Sequence, residues 1–158
     1  MHKKLFTVLI TSVMLLLLFS PEFALPQKSR GGQRKQAIDH DRIESEVTGG
    51  FRAIISLWKD EKYEALYEHG DKKSRTPIRK EDFARRMKNK EVGLASSWET
   101  VRDVRVEVES STRVHITAKI GYKSKKGGDT KHRTETFLMT LEKGAWKIDL
   151  QKILRAKI

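Results

Sequence analysis

The chain contains no cysteine. That excludes a disulfide framework, a thiolate metal site and a cysteine nucleophile, and it leaves the redox compartment unmarked. Beyond His2 the histidines are scattered: His40, His69, His115 and His132 share no i,i+4 or His-x-His spacing, so no metal site is expected from them. Acidic residues are in deficit, with 21 Asp and Glu against 33 Lys and Arg and a formal charge of +12. Long apolar runs are short as well. The longest, Leu5 to Phe19, falls below the roughly 20 apolar residues that a membrane-spanning helix needs.

That run follows His2-Lys3-Lys4 and ends at Ser20-Pro21, the charged and apolar regions of a secretory signal. The expectation is a signal peptide over residues 1–24, cut after Ala24, and an exported protein that is periplasmic or secreted. The alternative is an uncleaved membrane anchor, because Glu22 stands where a small residue is preferred before the cut. Loss of residues 1–24 takes Lys3, Lys4 and Glu22 and leaves +11, so the charge belongs to the folded product. Such a balance favours polyanions, and for an exported chain envelope anions come before nucleic acid, which is not expected as a partner.

Residues 25–40 are polar, basic and glycine-containing and read as a flexible linker, leaving residues 41–158 as one domain. Asp41-x-x-Glu44 fits a capping box, and Ile43, Val47, Phe51, Ile54, Ile55 and Trp58 follow at helical spacing, with close packing or a kink expected at Gly49-Gly50. A short second helix is predicted from about Glu61 to His69, stopped by a left-handed Gly70. The third carries Phe83 and Met87 inward. It opens either at Arg79, with Ile78 and Phe83 as a hydrophobic staple, or at Thr76-Pro77.

From Trp98 the period changes to two. Val104, Val106 and Val108 alternate with Arg105, Glu107 and Glu109; Val114, Ile116, Ala118, Ile120 and Tyr122 alternate with His115, Thr117, Lys119 and Gly121. A third strand bears Phe137, Met139 and Leu141, and a last one Trp146, Ile148 and Leu150, after the turn Glu142-Lys143-Gly144. The fold class read from this order is α+β: three N-terminal helices packed on a curved, four-stranded antiparallel sheet.

Three segments, Trp58-Lys-Asp-Glu-Lys-Tyr-Glu-Ala-Leu-Tyr67, Lys80-Glu-Asp-Phe83 and Lys143-Gly-Ala-Trp-Lys-Ile-Asp149, give the chain a resemblance to the nuclear transport factor 2-like superfamily over roughly residues 41 to 150. The resemblance implies the cone-like fold of ketosteroid isomerase and scytalone dehydratase, and a homodimer through the outer sheet face. It also implies that an enzyme of this kind would hold acids, histidines or tyrosines inside the cone. Among the inward strand positions Tyr122 is the sole group that exchanges a proton, and no strand carboxylate is expected there. Asp60 and Asp71 lie nearest the loops at a cone mouth but read more simply as loop and cap residues.

The function expected is therefore a non-enzymatic binding or scaffolding domain of a bacterial envelope, without cofactor. Its partner would be a protein or a small apolar ligand held by Trp58, Tyr63, Phe83, Trp98, Tyr122 and Trp146. One alternative is an isomerase- or dehydratase-type enzyme. Another is an electrostatic binder of anionic envelope polymers through Lys123, Lys125, Lys126, Lys131 and Arg133, joined by His132 and by a basic tail of Lys152, Arg155 and Lys157. Gly127-Gly128 follows lysines yet lacks the Lys-Ser/Thr of a phosphate loop, and reads as a hairpin connection.

Overall fold

The computed structural model describes the backbone of residues 30–156 and the side chains of residues 39–156 apart from that of Ser97. The proposed signal at 1–24, the start of the linker and Lys157 lie outside the described residues. Helix α1 spans Arg30–Lys59. Asp41 therefore sits within a helix rather than capping one, and much of the segment read as linker is helical. Its apolar stripe is the expected one: Ile43, Val47, Phe51, Ile54, Ile55 and Trp58 are all buried. Only one of the paired glycines is needed for packing. A Cβ on Gly50 would come within 3.2 Å of the Trp146 Cβ, whereas one on Gly49 would meet nothing.

Helix α2 (Tyr63–Glu68) buries Tyr63 and Leu66 and is followed by α3 (Lys72–Arg75), capped by Asp71, whose carboxylate accepts from Ser74 N at 2.6 Å. The expected left-handed stop at Gly70 is not formed, since Gly70 is not among the positive-φ residues. Its missing side chain serves packing instead: Gly70 bridges to Ile148, and a Cβ there would run into the Leu150 side chain. Helix α4 (Lys80–Lys88) opens at Arg79 and buries Phe83 and Met87, so the staple register holds, while Thr76 closes α3 rather than opening α4.

The fold is α+β with a curled antiparallel sheet. Its strands are β1 (Val92–Leu94), β2 (Val101–Ser110), β3 (Arg113–Ser124), β4 (Lys131–Glu142) and β5 (Ala145–Ile148). That is one strand more than the sequence pattern predicts, because three residues are too few to show a period. Strands β1 and β2 share one edge of β3, with Leu94 opposite Tyr122 and Val101 opposite Ile120; β4 and then β5 continue on the other side. Lys143 and Gly144, both at positive φ, make the two-residue hairpin between β4 and β5, the geometry that matches strand twist. Leu150 is buried as expected but not in a strand: Asp149 caps a last helix, α5 (Leu150–Arg155), in place of the basic tail.

Between β1 and β2 the chain leaves the sheet over Ser96 to Glu99 and returns to the same partner. Ala95 N donates to Gly121 O at 2.8 Å and Gly121 N to Thr100 O at 3.0 Å, while Thr100 Oγ1 ties the neck to Ala95 O at 2.6 Å. A side chain on Gly121 would collide with the Glu99 carbonyl. Only glycine lets the excursion close on β3. We expect Gly121→Ala to cost about 1–3 kcal/mol in urea unfolding, and to cost more than Gly70→Ala, where the obstacle is a side chain rather than backbone.

Candidate functional site

The inward face is filled along β3 and β4, whereas Val104, Val106 and Val108 of β2 are only half-buried and Val101 and Val104 border a groove of about 270 Å³ with Ile55 of α1. Val114, Ile116, Ala118, Ile120 and Met139 have 0% exposure, as do Phe51, Ile54, Leu66 and Phe83 across from them, which leaves no space the size of a water molecule beside these side chains. Phe51 and Phe137 pack at 5.3 Å between ring centroids, and Trp58 meets Tyr122 edge-on at 6.2 Å. Of the six residues expected to line an apolar pocket, Trp58, Phe83, Tyr122 and Trp146 are thus core. Tyr63 is buried too, though it borders a shallow groove between α2 and α4 with Glu61, Glu64 and Arg85.

Trp98 corrects the expectation outright. It lies on the excursion between β1 and β2 with 71% of its surface exposed, the one large apolar side chain left outside among the described residues. Alternation could not reveal this, because the excursion breaks the register.

A carboxylate does occupy the inward face, contrary to the sequence expectation. Glu135 shares its parity with Phe137 and Met139 and is buried, with Lys152 of α5 at 2.6 Å and Arg133 Nε at 3.7 Å. The ion pairing offsets its charge. Burial, with the Glu135 charge second, pushes the Tyr122 phenol far above the ordinary tyrosine range, and Arg133 offsets only part of this. Neither family-type acid candidate is poised for chemistry: Asp71 is the α3 cap, and Asp60 is exposed and paired with Lys59 and Lys62.

The basic loop does not act as one cluster. Lys125 reaches back to the helices, where its Nζ lies 3.0 Å from Glu61, donates to Lys88 O at 3.1 Å and sits 5.8 Å from the Tyr63 ring centroid. Partial burial works against its charge, but the hydrogen bond to Glu61 and the contacts with Tyr63 raise its pKa all the same. Lys126 pairs with Glu91 at 2.7 Å. Arg133 points to Glu135. Only Lys123 and Lys131 of the five remain without an ion-pair partner among the described residues.

A different cationic group assembles on the outer sheet face. Arg102 on β2 lies over the Trp98 ring at 5.1 Å and donates to His132 Nε2 at 2.6 Å; cross-strand from it stands Lys119, and Lys119 in turn faces Thr134. Arg105, Thr117, Lys119 and Thr134 line a groove of about 330 Å³ together with Asp103. Neither Arg105 nor Lys119 makes an ion pair among the described residues. The sequence held the clue to this face in Lys119 alternating with Thr117 and His115, but only the register places Arg102 beside them. Among the described residues no cluster of three or more His, Asp or Glu is positioned for a metal, and no helix is long and apolar enough to cross a membrane.

No family model matches the chain, and no curated protein matches it.

Two measurements check this geometry. Lys125→Ala should lower stability by about 1 kcal/mol while Lys126→Ala, at an exposed pair, changes it by less than about 0.5 kcal/mol. In alkaline titration, the Tyr122 contribution to stability is complete below the unfolded tyrosine value near ~10 and is lost as pH climbs toward the higher native value. Phenolate absorbance from Tyr122 should therefore appear together with unfolding, and a normal native titration would contradict its burial.

Proposed function

We propose that the chain is an exported, non-enzymatic binding or scaffolding domain with a nuclear transport factor 2-like cone, and that it recognises its partner with its outer surface. The observation that carries this reading is the filled inward face: side chains with 0% exposure line the region where a relative of isomerase type would hold substrate. Support for the family comes from the order of elements, helices before a curled antiparallel sheet, and from the three segments Trp58–Tyr67, Lys80–Phe83 and Lys143–Asp149. In this reading the helices before β1 form the N-terminal layer of the cone, and the export signal precedes them.

The isomerase or dehydratase alternative has one observation in its favour, the buried Glu135, but that carboxylate is neutralised by Lys152 instead of facing open space. An apolar fluorescent dye such as anilinonaphthalene sulfonate should show no enhancement with the native protein and a strong one with a partly unfolded state. Saturable dye binding to the native protein would overturn the filled-core reading. Intact-mass measurement of the protein from its own cells should give a chain beginning at Leu25; a full-length, membrane-bound species would replace export by anchoring.

A further inference from the structure

We propose that the outer sheet face around Trp98, Arg102, Lys119 and Arg105 binds an acidic polysaccharide, with a sugar ring against the indole and ring carboxylates on the neighbouring cations. The inference rests on the reading of the chain as an exported domain that binds with its outer surface.

The display of Trp98 is built, not incidental. Its excursion is closed at the neck by the three hydrogen bonds among Ala95, Thr100 and Gly121, and Thr130 Oγ1 donates to the Glu99 carboxylate at 3.1 Å from across the β3–β4 loop. One side of the indole is stacked on Arg102, which His132 holds in place. The ring is thus fixed and still 71% exposed. A pyranose presents a flat face of C–H bonds, and such a face complements an indole held in this way.

The cations on the same face outnumber their acids: Asp103 shares the groove with Arg105 and Lys119 but pairs with neither among the described residues. Arg102 and Lys119 are direct cross-strand neighbours, an arrangement that like charges make unfavourable. Neither Lys119 nor Arg105 has a carboxylate partner among the described residues, and both line the open groove on this face. Residues on adjacent strands stand about 4.8 Å apart and alternate residues along a strand about 6.8 Å apart, so the cations form a short ladder suited to a chain of repeating anions. Exposed hydroxyls at Thr134 and Thr136 lie on the same strand face, as partners for sugar hydroxyls.

Other polyanions fit less well. A single-strand nucleic acid platform stacks successive bases on several aromatics, and Trp98 is the only large apolar side chain exposed among the described residues. An interfacial membrane site needs a continuous apolar strip, whereas the neighbours of Trp98 are charged or hydroxylic.

The test uses the full-length protein, polygalacturonate as probe, and iodide quenching of tryptophan. Trp58 and Trp146, at 2% and 7% exposure, are out of reach of iodide, so the quenching reports Trp98. Polygalacturonate should protect against quenching, with affinity falling steeply as salt is raised. By calorimetry, Trp98→Ala and Lys119→Glu should each weaken binding at least about tenfold, Asp103→Asn should tighten it about twofold or more, and Lys126→Ala should leave it unchanged. Retained affinity in the Trp98→Ala, Lys119→Glu double variant would overturn the proposal. So would equal binding of neutral dextran, or tighter binding of a single-stranded oligonucleotide or of anionic phospholipid vesicles. Dye binding to the core would instead sink the outward-facing reading on which the proposal rests, and the two failures are told apart by which probe binds.

Discussion

The whole sheet depends on β3 being hydrogen-bonded along both edges while its inner face is sealed. On one side β4 pairs with it without interruption from Arg113 opposite Thr140 to Tyr122 opposite Lys131; on the other, β2 and β1 share its length. A central strand so enclosed can bury every alternate side chain, and Val114 through Tyr122 do so at 0–1% exposure. Burial of each such aliphatic group contributes about 1.5–3 kcal/mol, enough for this strip and the facing stripe of α1 to fix the register of everything else. The cost falls on the shared edge. Two strands cannot meet end to end on one partner unless the residues joining them are extruded, and that extrusion requires a glycine opposite the neck.

From this constraint the outer features follow. Gly121 admits the Glu99 carbonyl, the excursion leaves the sheet, and Trp98 on it is exposed to solvent. Arg102, the second residue after the neck, then lies in register with Lys119 and close enough to stack on the indole. The register shifts between Arg102 and Arg105, where Asp103 adopts φ 52°, so the cations are gathered at the irregularity instead of being spaced evenly along β2. One steric requirement thus links an interior glycine to the composition of an exterior face.

Local periodicity made much of the fold legible. The α1 stripe, the staple at Ile78 and Phe83, and the alternation of β3 depend on neighbours within a turn or a strand, and each buries the expected residues. What sequence alone could not supply was contact between distant segments. Glu135 was passed over because the third strand was read from its apolar positions Phe137, Met139 and Leu141 alone; Lys152, on a helix far along the chain, makes a carboxylate tolerable there. Gly70 looked like a helix stop because the strand end at Ile148 and the Leu150 side chain that crowd it are equally remote. Trp98, read as one of the pocket aromatics, misled because its place is set by the closure of the β1–β2 neck on β3 and not by any local period.

Net charge gains meaning only after the cations that the fold consumes are set aside. Lys125 and Lys126 fasten the β3–β4 loop to Glu61 and Glu91, Lys152 neutralises Glu135, and Lys90 accepts its role as a C-terminal cap by donating to the Leu154 and Ala156 carbonyls. Lys125, Lys126 and Lys152 count toward a basic loop or tail in the sequence, yet each is paired with a carboxylate of the same domain, which offsets its charge. Arg105 and Lys119 are different, because β-pairing holds them in place with no acid opposite. Backbone register fixes only where such a cation starts, so like charges begin close together and each long side chain is left to turn toward solvent or an external anion. The density of lysines in the loop was the more conspicuous signal, but the pairing of Lys125, Lys126 and Arg133 leaves the sparser outer face with the unpaired cations on which the proposed anion site rests.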